Sequence, residues 1–273
     1  MSLLPTDIRL LDPLPIEVSR PLVLLRLGYR SAGQVPAKTA RLLDDVITEA
    51  RPLLEPRAVC AAFPVSRAET GGIAIGRTVR SASRSLSERL AGCDTAVLFA
   101  ATIGPALEAR VRAMNDAGDL TRALLADAYG SSAAIALGMG LETAVAREFR
   151  DLGLEPTRRY APGYGDFELS VQAPLLRLVD AGRIGIALND ECLMIPAKSI
   201  SGVIGGRRVR SSYGHRRPED RHIPRTSKGG GGRHPLRRAM SAWWRGRDLN
   251  SRPLGYEPNE LPGCSTPRRK ARV

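Results

Sequence analysis

Histidine is missing from the first 214 residues of this 273-residue chain; the three present are His215, His222 and His234. Its absence removes His-based catalytic triads and His-ligated zinc from most of the sequence. Cysteine is scarce and scattered, at Cys60, Cys93, Cys192 and Cys264, with no C-x-x-C pair. Such spacing fits small buried side chains in a reducing compartment, not a metal ribbon or a disulfide framework. Long apolar runs are missing too. The longest uncharged stretch, Ala128 to Leu141, is too short and too rich in glycine and serine to span a bilayer. Asp7 and Arg9 interrupt the apolar N-terminus and no basic segment precedes it, which excludes a signal peptide. A cytoplasmic protein with no membrane partner is expected. Gly138-x-Gly140 has neither a preceding strand nor a third glycine, so it is not a dinucleotide fingerprint. No general acid–base pair, redox-cofactor site or phosphate-cradling loop stands out.

The charge lies at one end. Residues 207–273 hold 18 of the 41 Lys and Arg residues and 5 of the 28 Asp and Glu residues, which is the whole net charge of +13. The first 206 residues are balanced, so the basic character says nothing about the partner of the folded part. The same tail carries Gly229–Gly232, Trp243-Trp244 and several prolines without hydrophobic periodicity. That composition cannot bury a core, and a disordered basic tail is expected over 207–273. A basic arm that binds nucleic acid is one reading of it. The stretch from Gly246 to Arg268 also resembles a phrase recurring in conceptual translations through transfer-RNA genes. The tail is therefore read as read-through or frameshifted sequence, and nucleic acid is not expected as a partner.

Residues 1–206 alternate helices and short strands without a βαβ period. Apolar spacing predicts helices between 14 and 55, with a break at Gly33–Pro36. Strands are expected at Gly71–Arg77, Thr95–Ala101, Ile184–Leu188 and Ser199–Ile204. Helices are expected at Ser81–Leu90, from Pro105 to Asn115, at Asp119–Phe149 and at Val171–Ala181. The long helix carries Gly130, Ser131, Ser132, Gly138 and Gly140, small residues that admit close neighbours. These elements imply one α+β domain, with helices packed on a mostly antiparallel sheet.

Two segments concentrate glycine, proline, hydroxyl and aromatic or cationic groups. The first is Arg159-Tyr-Ala-Pro-Gly-Tyr-Gly-Asp-Phe167, in which Pro162-Gly163 predicts a type II turn. Taken from the residues alone, it is either a tight connection after the long helix or a ligand loop. The second is Met194-Ile-Pro-Ala-Lys-Ser-Ile-Ser-Gly202, which runs on to Gly205.

Arg159-x-Ala-Pro-Gly-Tyr164 resembles the Arg-x-x-x-Gly-Tyr loop of the activation domain of cobalamin-dependent methionine synthase. Ile184–Leu188, Asn189-Asp190-Glu191, Met194-Ile195-Pro196 and Ser199-Ile200-Ser201-Gly202 follow in that family's order. Phe99–Pro105 resembles its strand-to-helix turn, and Gly165-Asp166 resembles the short stand-alone members. The likeness covers roughly residues 10–205. It implies a methionine synthase activation domain-like fold and a site for S-adenosylmethionine at Arg159, Ala161, Gly163, Tyr164, Gly165, Ser199, Ser201 and Gly202, with no catalytic residue and no metal. It further implies cobalamin held by a partner, either a corrinoid protein or a methionine synthase lacking its activation domain, and an electron donor such as a flavodoxin. The expected role is reductive reactivation of that corrinoid in trans; the alternative is a non-catalytic corrinoid-protein scaffold. A guanidinium suits the ligand's carboxylate, and an aromatic face suits its adenine or sulfonium. The family's helix acid has no counterpart in Tyr129–Leu137. Asp127, Glu142 and Asp166 are the nearby acids.

Overall fold

The computed structural model describes residues 8–68 and 72–208. Expectations for 209–273, including the three histidines and Trp243-Trp244, lie outside those residues. The frame is an antiparallel sheet. Its central strands are β2 (Arg57–Arg67), β5 (Cys93–Thr102) and β9 (Ser199–Arg208). A hairpin of β3 (Ile73–Ile75) and β4 (Val79–Ser81) extends the sheet beyond the second half of β2, and β1 (Arg9–Leu11) covers the first half of the same edge. On the far side β6 (Leu154–Pro156) pairs with the end of β9, giving the order β4-β3-β2-β5-β9-β6. A separate two-stranded ribbon joins β7 (Ala187–Leu188) to β8 (Met194–Ile195). Every pairing is antiparallel, as the sequence implies.

Both faces of the sheet are covered. Ala58, Cys60, Phe99, Ala101 and Ile204 face α1 (Arg20–Arg26), α2 (Ala37–Ala50), α4 (Ala106–Asp116) and α5 (Leu120–Asp151). Val59, Ala61, Phe63, Leu98, Ala100 and Val203 face the opposite way, against α3 (Arg84–Arg89) and α6 (Gln172–Leu178). This double burial is why β2 was not expected from the sequence. A strand buried on both faces shows a continuous apolar run in place of alternation, and Pro64 interrupts that run near the point where β2 passes from β1 to β3.

The 32-residue α5 passes the length and hydropathy test for a membrane span. However, 61% of its most apolar window is buried inside the fold, as expected for a core helix. Its small residues admit neighbours: a Cβ at Gly130 would stand 2.8 Å from Leu107 Cδ2. Asp119 caps its start by accepting from the Arg122 N–H at 3.2 Å.

Three expectations are corrected. The strand expected at Ile184–Leu188 begins instead as a 3-10 turn, Ala181–Ile184, closed by left-handed Gly185, and only Ala187–Leu188 pairs. The helix expected at Val171–Ala181 is shorter, Gln172–Leu178, between two such turns. β9 runs past the expected end of the domain at 206: Arg207 pairs with Cys93 and Glu155, and Arg208 reaches Asp94 at 2.8 Å.

Candidate functional site

The chain leaves β6 and runs beside β9. Thr157 N–H donates to Gly205 O, and Tyr160 exchanges hydrogen bonds of 2.9 and 2.8 Å with Val203. The next residues form the expected type II turn. Tyr164 N–H donates to Ala161 O at 3.2 Å, and Gly163 at the third position has φ 90°. The loop then closes on itself, with Gly163 N–H donating to Phe167 O at 2.8 Å and Phe167 N–H to Tyr164 O at 2.9 Å. Gly165 is required by space, since a Cβ there would lie 2.8 Å from the Tyr160 hydroxyl. That hydroxyl donates to Tyr164 O at 3.0 Å, and the Tyr160 ring stacks on Phe167 at 5.8 Å. The result is a braced loop with Tyr164, 43% exposed, at its tip.

Arg159 projects from the other side, toward α5. Its guanidinium lies over Gly138, where a Cβ would collide with Nη1 and stand 2.6 Å from Ile200 Cδ1. Glu142, one turn further along α5, accepts from the Arg159 N–H at 3.0 Å, and its second oxygen lies 3.8 Å from Arg159 Nε. A cation and a carboxylate thus stand side by side, one-quarter and less than one-third exposed. This pairing can hold an amino-acid zwitterion, the guanidinium taking its carboxylate and Glu142 its ammonium.

Ala161, Gly163, Tyr164 and Gly165 thus share one loop, whose Tyr164 ring lies 6.3 Å from that of Tyr160, while the Arg159 side chain projects away from it to α5. Ser199 and Ser201 are not on that side. Alternation along β9 points them to the face opposite Ile200 and Arg159. There Ser201 donates to Gln172 Oε1 at 3.0 Å, and the Ser199 hydroxyl is buried without a partner. Gly202 is a packing position, with the Phe99 ring 2.9 Å from where its Cβ would be. Of the other acids, Asp127 is taken by Lys198 at 2.8 Å. Asp166 is a brace for the loop: it accepts from Ser83 Oγ and the Arg84 N–H, both at 2.7 Å, and from the Ser85 N–H at 3.3 Å. The Ser83 and Ser85 hydroxyls, with those amides, hold its carboxyl down at about 2. Among the described residues Arg159 pairs with Glu142 and with no nearer neighbour in sequence such as Asp151 or Glu155. Glu155 lies 3.8 Å from Arg207.

Gly138 and Tyr160 were not expected at the site. The cluster of small residues on α5 was the available signal for Gly138; Tyr160 gave none beyond its place in the loop. A cleft of about 510 Å³ opens behind the loop, lined by Arg89, Arg158, Tyr160 and Arg207. Arg159, Ala161, Gly163 and Tyr164 do not line it.

The family model described as vitamin B12 dependent methionine synthase, activation domain, matches residues 28–215. Among solved structures, the MetH reactivation domain bound to AdoHcy is similar, with a TM-score of 0.55 and 19% identity over 76% of this chain and 80% of that one. At that identity the likeness is one of fold. No curated protein matches. The matched span takes in the central sheet, α5 and the braced loop, and the chain belongs to the family of vitamin B12-dependent methionine synthase activation domains.

Proposed function

We propose that this chain is a stand-alone subunit that binds S-adenosylmethionine and presents it to a corrinoid protein during reductive remethylation. One observation carries the reading: Arg159, two residues before the Ala161–Tyr164 turn, stands beside Glu142 with its guanidinium over Gly138. S-adenosylmethionine, when bound, supplies an electrophilic sulfonium methyl. Arg159 holds the carboxylate of its methionine end, and Glu142 holds the ammonium, in place of the acid missing from Tyr129–Leu137. The backbone at Ala161 and Gly163 and the exposed ring of Tyr164 orient the remainder. A rigid turn suits this task, since methyl transfer needs the donor held at a near-attack distance of about 3–3.5 Å. The corrinoid belongs to a partner, either a separate corrinoid protein or a methionine synthase lacking this domain. A one-electron donor such as a flavodoxin acts from outside, and the assembly works in the cytoplasm.

Isothermal titration of the full chain with S-adenosylmethionine tests the binding step. Saturable heat is expected, and Arg159→Ala weakens it by about 1.5–3 kcal/mol, the scale of a hydrogen bond to a charged group. Mixed with an oxidised corrinoid protein and a one-electron reductant, the chain is expected to restore the methylcobalt spectrum. Tyr164→Ala is expected to depress that recovery more than it depresses docking. Methyl transfer to homocysteine by the chain alone would refute the accessory role. The second reading is a corrinoid-protein scaffold without a donor site, and the acid-free stretch Tyr129–Leu137 favours it. No heat at millimolar ligand would establish it over the first.

A further inference from the structure

Tyr160 is held from several directions. Its backbone exchanges hydrogen bonds with Val203 of β9. Its ring stacks on Phe167 at 5.8 Å and carries the Arg89 guanidinium 4.8 Å above its centre. Its hydroxyl donates to Tyr164 O at 3.0 Å. Tyr164, by contrast, is 43% exposed. A carbonyl oxygen has two lone pairs to offer. At Tyr164 one bond comes from the Phe167 N–H, at 2.9 Å, and the other from Tyr160. These two donors fix the peptide plane after Tyr164, and the bond from the Tyr164 N–H to Ala161 O fixes the plane before it. The Tyr164 ring is left with its own side-chain torsions. The Tyr160 ring, 6.3 Å away and tilted by 51°, borders the space they sweep.

We propose that Tyr160 is the positioning residue of this site: it sets the direction in which the Tyr164 ring meets the ligand, and it acts through Tyr164 instead of on the ligand. This rests on the S-adenosylmethionine reading above and assigns what that reading leaves open, namely which group holds the exposed ring still. Asp166 ties the loop to α3. Tyr160 ties its tip to the sheet, because its backbone is bonded to β9 in both directions and its hydroxyl spans from that anchor to the Tyr164 carbonyl. Gly165 is the matching feature in the sequence. A Cβ there would lie 2.8 Å from the hydroxyl, so the residue after Tyr164 has to be glycine for the bond to form. Arg89 keeps the ring in its seat by a cation–π contact. Labour in the site is thereby divided. Arg159 and Glu142, on the α5 side, supply affinity, and the Tyr160–Tyr164 pair supplies orientation. A misplacement of about 1 Å is enough to slow a transfer roughly 100-fold.

The experiment compares the wild type, Tyr160→Phe and Tyr164→Ala as full chains by nuclear magnetic resonance and isothermal titration, with S-adenosylmethionine as the probe. Tyr160→Phe keeps the ring against Phe167 and Arg89 and deletes only the hydroxyl. An aromatic ring held over a ligand displaces the ligand's proton resonances, and Tyr164→Ala identifies which displacements come from that ring. In Tyr160→Phe those displacements are expected to shrink to about half or less, while the dissociation constant changes by less than about threefold. A merely structural role would lower the thermal transition and the affinity and leave the displacements of the bound ligand as they are. In the ligand-free Tyr160→Phe chain the Tyr164 ring resonances are expected to move toward those of an unrestrained tyrosine. If Tyr160→Phe does not fold, as judged by its thermal transition, Arg89→Gln, which removes the cation over the ring, carries the comparison with the same expected shrinkage. Unchanged ligand and Tyr164 resonances in Tyr160→Phe overturn the proposal and leave the S-adenosylmethionine reading standing. Saturable binding in which no ligand resonance responds to Tyr164→Ala also overturns it, by removing Tyr164 from the site. No heat from the wild type would instead refute the donor reading itself, and this role with it.

Discussion

Gly138→Ala separates the stability of this fold from its ligand chemistry. In the interior of a helix, replacing glycine by alanine is worth about 1 kcal/mol in favour of folding. The added methyl would meet Arg159 Nη1 and stand 2.6 Å from Ile200 Cδ1. Both atoms are the far ends of flexible side chains, so the backbone need not move and the gain and the crowding nearly cancel. Arg159, however, must leave its seat beside Glu142. If that guanidinium receives the carboxylate of S-adenosylmethionine, the substitution removes an interaction worth about 1.5–3 kcal/mol, a loss of roughly 10- to 150-fold in affinity. Gly140→Ala is the control, because a Cβ there meets nothing within 4 Å. It should stabilise the protein by up to about 1 kcal/mol and leave affinity unchanged. Urea unfolding and isothermal titration on the two variants measure both quantities. Adding Arg159→Ala to Gly138→Ala should cost little more, since both act on one contact. A folded Gly138→Ala protein that binds the ligand like the wild type would refute the placement of Arg159 in the site.

Glu148 is partly buried beside Arg9, 3.3 Å away, and desolvation, aided by Asp151, raises its carboxyl to about 7 despite that arginine. The folded state therefore holds this proton more tightly than the unfolded chain. The contribution is fully present below about 4.5 and is lost as pH rises to about 7; Glu148→Gln should flatten the unfolding profile in that window, and an unchanged slope would refute it. Asp166 behaves oppositely. Its lowered pKa stabilises the fold above the ordinary value of 3.8, and the contribution disappears as pH falls toward about 2. Asp166→Asn should loosen the brace on the loop, seen as faster amide exchange at Gly163 and Phe167, and unchanged protection there would count against it. Gly205→Ala places a methyl 2.6 Å from Leu90 Cδ2 and 2.7 Å from Cys93 Sγ, and should cost about 1–3 kcal/mol in urea unfolding. A cost below about 0.5 kcal/mol would mean the sheet yields there more easily than its packing implies.

Local chemistry made much of this legible. Pro162-Gly163 fixes its turn because proline and glycine each satisfy one position of it. Asp119 and Pro105 mark helix starts for equally local reasons. What was hidden depends on partners distant in sequence. The apolar run of β2 is ambiguous until a second helical layer covers its other face. Ser199 and Ser201 share a motif with Gly202, but strand alternation turns both away from Arg159, and Ser201 bonds to Gln172 of α6. Glu142 could be named as a nearby acid, yet only the path of the chain beyond β6 brings Arg159 over that turn of α5.

The position of β9 governs the order in which this protein can be completed during synthesis. It is the last described strand, yet it sits between β5 and β6. Until it emerges, β5 offers a full row of free amides and carbonyls along one side, flanked by Leu98 and Phe99, and β6 has no strand to join. Such an unpaired apolar edge is a template for pairing with other chains. A nascent chain that stalls before Ser199 should therefore aggregate or engage chaperones even though α5 is already made. Release of that hazard is expected as a single late event, coincident with the formation of both edges of β9.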